Sequence, residues 1–333
     1  MAHTESRSGN AAAPGDFMRT GGRVLVLDPI DEGALAHLAR HYDLTVRYGP
    51  GPAELAELIS DVDAVVLRSG ARLPGEVLEA AARLRVIVRA GSGTDNIDLR
   101  TARRRGIGVF SVAGGSASAV AELAIGLMLA LTRKITVADR QLRAGVWDKP
   151  NLAGTELGGK TLGIVGHGHI GAALARLASG FAMNIVATVD KPSDERRKGL
   201  AALGIRLVEF LDLLAESDIV ALAVPLTPGT RHLIGAPELR RMRRTAILVN
   251  VSRGGVVDET ALLESLIRGE IAGAALDVIT VEGARPALAD LDQVVLTPHI
   301  GAMTAEAQRR IGEIVTRTLA TALSGGEPGN RVC

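Results

Sequence analysis

Cysteine is nearly absent from this 333-residue chain: the one cysteine is Cys333, the last residue. That excludes an internal disulfide framework and a cysteine-based metal site, and it fits a reducing cytoplasm. Aromatic residues make up only 2% of the sequence, so the core has to be built from Ala, Val, Leu and Ile. Net charge is small as well. The 38 Lys+Arg against 37 Asp+Glu leave +1 at pH 7, which gives no electrostatic reason to expect nucleic acid. The arginine runs at 103–105 and 240–244 read as solvated helix faces. The longest apolar stretch, Ala119–Leu131, is broken by Glu122 and is too short to span a bilayer. Residues 1–22 are rich in Ala, Gly, Ser and Asn and have no apolar run of the signal-peptide kind; they read as a disordered tail.

What is present is a regular alternation. Hydrophobic residues reach 47%, and the length allows two domains with sizeable cores. Strands are predicted at Val24–Leu27, Leu44–Arg47, Ala64–Leu67, Val86–Val88 and Ile107–Phe110. Helices alternate with them at Asp31–His41, Ala53–Ile59 and Gly75–Arg83. A second series of strands follows at Thr161–Val165, Ile185–Val189, Ile219–Val224, Ala246–Val251, Ala274–Val278 and Val294–Thr297, with a short candidate at Arg206–Val208. Such alternation predicts an α/β protein with two Rossmann-like domains and parallel, doubly wound sheets. Between the two series lies a small-residue helix, Ser118–Leu131, extended or followed by Ile135–Ala144. It carries little charge and needs burial. Asp258 is placed to cap a helix through Ile267, with Val257 and Leu262 as a hydrophobic staple. A last helix, Ala302–Ser324, is expected to return to the first unit.

The centre of the chain is the glycine loop. Thr161–Val165 leads into Gly166, Gly168 and Gly171 in G-x-G-x-x-G spacing, and a helix follows. One glycine makes the tight turn, one lets backbone approach a pyrophosphate, and one lets helix and strand pack closely. A second strand ends at Asp190, 19 positions beyond Gly171, close to where a ribose-binding acid is expected. The helix N-terminus offers unpaired N–H groups to phosphate.

Ligands of open α/β sheets bind beyond the carboxyl ends of the strands. Arg253 follows Ala246–Val251, Asp277 lies at the end of Ala274–Val278 with Glu282 five residues later, and His299 follows Val294–Thr297. A histidine suits proton exchange near neutral pH. A carboxylate bonded to it fixes its tautomer. An arginine clamps a substrate carboxylate with two parallel bonds and polarises the adjacent carbonyl. His167 and His169 lie inside the glycine loop and read as cofactor neighbours. His37, His41 and His232 read as surface residues.

These motifs resemble the D-isomer-specific 2-hydroxyacid dehydrogenases over about Val24 to Ser324. The specific pieces are residues 89–98, the glycine loop, residues 248–258, residues 275–278 and residues 296–301. The resemblance implies NAD as cofactor, a small anionic 2-oxo/2-hydroxy acid as partner, and a homodimer formed through the cofactor domain. It implies a discontinuous substrate domain, residues 23–117 plus 299–333, and an NAD-binding domain at 118–298. By it Arg253 orients the substrate, Glu282 supports the histidine and His299 is the acid/base. Val224, Pro225, Val251, Ser252, Asp277, Gly301 and Thr94 would join Gly166, Gly168, His169, Ile170, Gly171 and Asp190 around the cofactor. Arg68, Ser69, Arg89, Ser92 and Gly93 would join Arg253 around the substrate.

Leu-Arg-Ser at 67–69, Arg89 and Gly-Thr-Glu-Leu at 154–157 resemble the phosphoglycerate-oxidising branch of the family. Two guanidinium groups, Arg68 and Arg89, suit a phosphate or phosphonate better than a methyl group. The length leaves no room for a serine-sensing regulatory domain, so that feedback is not expected. The chain departs from the family's pattern at His169, where Arg or Lys is usual, and at Ile279 and Gly283. A glyoxylate or hydroxypyruvate reductase stays open as an alternative. So does an NADH-sensing, corepressor-like binding protein, because such proteins keep the same triad. A formate-dehydrogenase-like enzyme is disfavoured by Glu282. Asp190 favours NAD over NADP by repelling a 2′-phosphate, with Arg196 and Arg197 nearby in sequence.

Overall fold

In the computed structural model the described residues are 21–333. The tail reading of residues 1–22 therefore lies almost wholly outside them. The aliphatic runs form twelve parallel strands in two sheets. The first sheet contains β1 (Arg23–Val26), β2 (Asp43–Val46), β3 (Ala64–Leu67), β4 (Val86–Arg89) and β5 (Gly108–Ser111), in the order β2-β1-β3-β4-β5. Helices α1 (Glu32–His41), α2 (Pro52–Ile59), α3 (Gly75–Ala80) and α4 (Leu99–Arg104) connect them. Next come α5 (Ala117–Thr132) and α6 (Ile135–Arg143).

The second sheet contains β6 (Thr161–Val165), β7 (Asn184–Thr188), β8 (Ile205–Leu207), β9 (Ile219–Leu222), β10 (Ile247–Asn250), β11 (Gly273–Leu276) and β12 (Val294–Leu296). Its order is β12-β11-β10-β9-β6-β7-β8. The intervening helices are α7 (His169–Gly180), α8 (Asp194–Ala202), α9 (Phe210–Glu216), α10 (Ala236–Arg241) and α11 (Glu259–Ile267), and α12 (Ala305–Leu323) closes the chain.

Both faces of each sheet are covered, which is why the strands read as continuous apolar runs rather than alternating ones. Alternate residues of one strand serve opposite faces. In the first sheet Leu25 and Leu67 pack with Ile59 and Leu78 from α2 and α3, while Val26 and Val66 pack with Leu38 of α1 and Val315 and Leu319 of α12. In the second sheet Leu162 and Ile164 meet Ala124 and Met128 of α5 and Leu174 of α7. Leu222 and Leu248 meet Leu214, Leu239 and Leu262 on the other side. The expected staple is in place, with Val257 and Leu262 both buried and the Asp258 carboxylate accepting from Thr260 N and Ala261 N at 3.1 Å each.

The small-residue helix α5 finds its burial within the chain, against α7 and the second sheet. The last helix returns as expected: α12 lies on the first sheet, and Arg331 forms an antiparallel bridge with Phe110. Several bounds differ from the sequence reading. The helix at Gly75 stops at Ala80, and β9 stops at Leu222. Four helices were not expected: α4, α8, α9 and α10. They are six to nine residues long, too short for a persistent helical period, and α8 buries only Leu200. Each sheet reverses its strand order at one point, between β1 and β3 and between β6 and β9. Crevices for ligands open at such points. Among the described residues no helix is long and apolar enough to cross a membrane.

Candidate active site

A cleft of about 740 Å³ lies at the carboxyl ends of the two sheets. It is lined by Arg68, Ser69, Arg89, Ser92, Gly93 and Thr94 from the first sheet's loops, and by Gly168, His169, Ile170, Val224, Pro225, Val251, Ser252, Arg253, Asp277, His299 and Gly301. Of the expected site residues, Gly166, Gly171, Asp190 and Glu282 do not line it. Glu282 borders an adjoining hollow that shares His299 and Asp277. A cavity of similar size, about 730 Å³, sits at the amino ends of the second sheet's strands and contains none of these residues.

The glycine loop lies at the second sheet's reversal point, just past β6. Each glycine has a separate physical reason to be there. Gly166 has φ +94°, in the region that favours glycine. A Cβ on Gly171 would collide with the Gly166 carbonyl and crowd Ile164, so this glycine lets α7 pack on β6. A Cβ on Gly168 would meet nothing within 4 Å. That open backbone, at the start of the twelve-residue α7, fits a dinucleotide pyrophosphate. Asp190 is exposed, just past the end of β7. Burial lowers the His167 pKa, and the nearby Arg196 charge adds to this; His167 Nε2 has no hydrogen-bond partner.

The His299 turn is built by Asp277. Asp277 is 2% exposed and follows β11 directly. Its Oδ1 accepts from Thr297 Oγ1 at 2.7 Å and from Ile300 N at 2.8 Å, and its Oδ2 accepts from Gly301 N at 2.9 Å. Its carbonyl accepts from His299 N at 2.7 Å. These bonds hold His299 at φ +54°, a costly conformation for a residue with a side chain. His299 Nδ1 meets Glu282 Oε1 at 2.6 Å, which leaves Nε2 toward the cleft. With both oxygens committed, Asp277 acts on the site through this turn.

Arg253 is fixed in a comparable way. Asn250, fully buried at the end of β10, donates from Nδ2 to Arg253 O at 2.9 Å, and its Oδ1 accepts from Ser252 N and Oγ at 3.0 and 2.7 Å. Arg253 Nη1 donates to Ser252 O at 2.8 Å, and Nε donates to Asp95 Oδ1 at 3.1 Å. Gly93 lies against the guanidinium, where any side chain would collide. Burial opposes ionisation of Asp95, but the charge and hydrogen bond of Arg253, with Arg89 beyond, hold its carboxyl below the usual range.

Arg68 directly follows β3, and Arg89 is the last residue of β4. The Arg68 backbone N–H donates to Asp28 Oδ2 at 2.6 Å, and its Nη1 donates to Gln308 Oε1 at 3.0 Å. Burial pushes its guanidinium pKa down, with Asp28 partly offsetting. Arg89 is only 6% exposed, and its Nε has no partner. Burial and the charges of Arg253 and Arg68 push its pKa down to about 10, against the pull of Asp95 and Asp28. It still carries a full charge at neutral pH.

The sequence reading missed four contributors. Asp95 lies inside the stretch 89–98, and Asn250 inside 248–258, but nothing in spacing alone says that one meets Arg253 or that the other shapes its turn. Asp28 and Gln308 reach Arg68 from 40 and 240 residues away, beyond any local signal. Among the described residues no group of three or more His, Cys, Asp or Glu could hold a metal ion.

Comparisons with known proteins place the chain in a family. Residues 125–301, more than half of the chain, match the D-isomer specific 2-hydroxyacid dehydrogenase NAD binding domain. A hydroxypyruvate reductase of Thermotoga maritima is 44% identical over 87% of this chain and 94% of its own length. A D-3-phosphoglycerate dehydrogenase of Methanocaldococcus jannaschii is 42% identical over 91% of this chain, which spans 58% of that relative. A solved glyoxylate reductase from Paecilomyes thermophila superposes with a TM-score of 0.86 at 31% identity, covering 94% of this chain and 98% of that one. With its switch-point glycine loop and its strand-end arginine and histidine, the chain belongs to the D-isomer-specific 2-hydroxyacid dehydrogenases, as an NAD-dependent oxidoreductase of that family.

Proposed function

We propose that this enzyme interconverts a 2-oxo acid and its D-2-hydroxy acid, with a substrate that carries a second anionic group, a phosphate or phosphonate. The observation that carries this reading is Arg89. A buried guanidinium with an unpartnered Nε, flanked by Arg68 and Arg253, is costly in isolation. A dianion in the cleft removes that cost.

Arg253, held by Asp95 and Ser252, receives the substrate carboxylate in a preset orientation. When bound, NADH would supply the hydride in the reducing direction, and its oxidised form would accept it in the other. In the reducing direction His299 gives its Nε2 proton to the carbonyl oxygen as the carbon is reduced, and in the oxidising direction it takes that proton back. Glu282 holds the imidazole through Nδ1, which fixes the ring's orientation and leaves Nε2 for the substrate oxygen.

Residues 23–117 and 299–333 act as the substrate domain, and residues 118–298 as the cofactor domain, with closure between them excluding water. Asp190 selects NAD through the ribose hydroxyls. The enzyme works in the cytoplasm as a homodimer joined through the cofactor domain. Helix α6, which buries no residue, and the exposed Ile135, Leu142, Val146 and Trp147 support that interface.

The alternative substrate reading, a glyoxylate or hydroxypyruvate reductase, draws on the relative from Thermotoga maritima, which is covered nearly end to end. The test is NADH oxidation with 3-phosphohydroxypyruvate, 3-phosphonopyruvate, hydroxypyruvate, glyoxylate and pyruvate. A higher kcat/KM for the phosphorylated or phosphonylated acids supports the dianion reading. A higher value for the small acids supports the alternative. Tight NADH binding without turnover on any of them would point to a sensor instead.

A further inference from the structure

The glycine loop has no fixed cation of its own. Between Val165 and Gly171 its side chains are His167, His169 and Ile170. A guanidinium is nonetheless fastened to it from outside. Arg196, in the first turns of α8, donates from Nη2 to the His167 carbonyl oxygen at 2.8 Å. That carbonyl is the only acceptor of the Arg196 side chain among the described residues, and no carboxylate neutralises it. Its neighbour Arg197 turns the other way and donates to Leu207 O at 2.8 Å, so the two adjacent arginines have separate roles. The backbone of Arg196 is fixed independently: its N–H donates to the N-cap oxygen of Ser193 at 3.1 Å.

The position matters more than the single bond. His167 lies between Gly166 and Gly168, so the Arg196 guanidinium stands at the edge of the open backbone that faces Gly168. It also belongs to the helix that follows Asp190. A guanidinium has five donors; here one is committed to a carbonyl and the others are available for charge-assisted, bidentate bonds to phosphate. We infer that Arg196 is a phosphate contact of the bound dinucleotide and supplies the charge that the glycine loop lacks. Two phosphates come within this description: the pyrophosphate common to both nicotinamide dinucleotides and the 2′-phosphate of NADP.

The experiment is a binding titration of the full chain with NADH and with NADPH, read by cofactor fluorescence without any oxo acid. Arg196→Ala, Arg196→Lys and Arg197→Ala are compared with the parent. We expect Arg196→Ala to weaken binding about tenfold, the usual scale for one charge-assisted hydrogen bond. Arg196→Lys should recover part of the loss, and Arg197→Ala should change affinity less than twofold. Equal weakening for both cofactors assigns the pyrophosphate, and weakening for NADPH alone assigns the 2′-phosphate. Arg196→Ala binding both cofactors within twofold of the parent overturns the inference. So does a loss confined to NADH, because NADPH carries both phosphates. A matched thermal midpoint without cofactor separates loss of contact from loss of fold.

Discussion

Arg253 Nε, just past β10, donates to Asp95 Oδ1, in the loop after β4, at 3.1 Å. The pair ties the carboxyl end of one sheet to that of the other, across the cleft between them. It therefore presets the guanidinium.

Asp95→Asn should keep a hydrogen bond but lose the charge. KM for the 2-oxo acid should rise about tenfold, with a smaller change in kcat, as expected when a positioning contact is weakened. The pH dependence has a definite sign. The Asp95 pKa is held below its ordinary value, so its contribution is complete above the unfolded carboxylate range and is lost only as pH falls through the lower folded value. KM in the parent should thus show no Asp95 titration between about pH 5 and 8. Steady-state kinetics across that range checks both statements.

His299→Ala should lower kcat by about 10²–10⁴-fold, the range for loss of general acid–base catalysis. NADH affinity should stay within about twofold. Glu282→Gln should act in the same direction by a smaller factor, because Nδ1 keeps a hydrogen-bond partner while losing the negative charge. Kinetics and NADH titration on the same preparations separate the chemical step from binding.

The loop glycines should divide by mechanism. Gly171→Ala puts a methyl group against the Gly166 carbonyl and should destabilise the fold by about 1–3 kcal/mol, the usual cost of overpacking. Gly168→Ala meets nothing within 4 Å, so it should leave the thermal midpoint nearly unchanged while weakening NADH binding. Thermal unfolding with and without NADH distinguishes the two patterns.

Arg89→Met replaces a buried, partly unsatisfied cation with an apolar chain of similar length. Such exchanges are often neutral or stabilising. The free protein should unfold at the same temperature as the parent or higher. Phosphate or sulfate in the buffer should raise the parent's midpoint more than that of Arg89→Met, which keeps the general salt effect and the Arg68 charge. A sharp loss of stability in buffer alone would mean that Arg89 is a structural cation.

Much of the fold was legible because burial on both faces writes itself as aliphatic runs. β3 and β6 coincide with the sequence reading residue for residue, and the other strands differ from it by one or two residues at an end. The short helices α8 and α10 were not legible, since exposed, charged segments such as Asp-Glu-Arg-Arg-Lys carry no apolar period. The convergence of Arg253, Glu282 and His299 could be read because each follows a strand, and parallel strands bring their carboxyl ends to one side. What could not be read was the set of groups that hold it. Asp95 and Gln308 act through contacts made only when the two sheets and α12 come together, and Asn250 acts through a local turn that spacing does not announce. Asp277 shows the same limit. The resemblance implied a place beside the cofactor, and the structure shows its carboxylate building the His299 turn.

The central claim is that Arg68 and Arg89 receive a second anionic group on the substrate. The most direct measurement is the ratio of kcat/KM for 3-phosphohydroxypyruvate to that for hydroxypyruvate, in the parent and in Arg89→Met. The ratio should be well above one in the parent and fall by about tenfold or more in the variant, the scale of one charge-assisted contact to phosphate, while hydroxypyruvate turnover changes little. A ratio near or below one in the parent, unaltered by Arg89→Met, would contradict the claim and leave a reductase of small unphosphorylated acids.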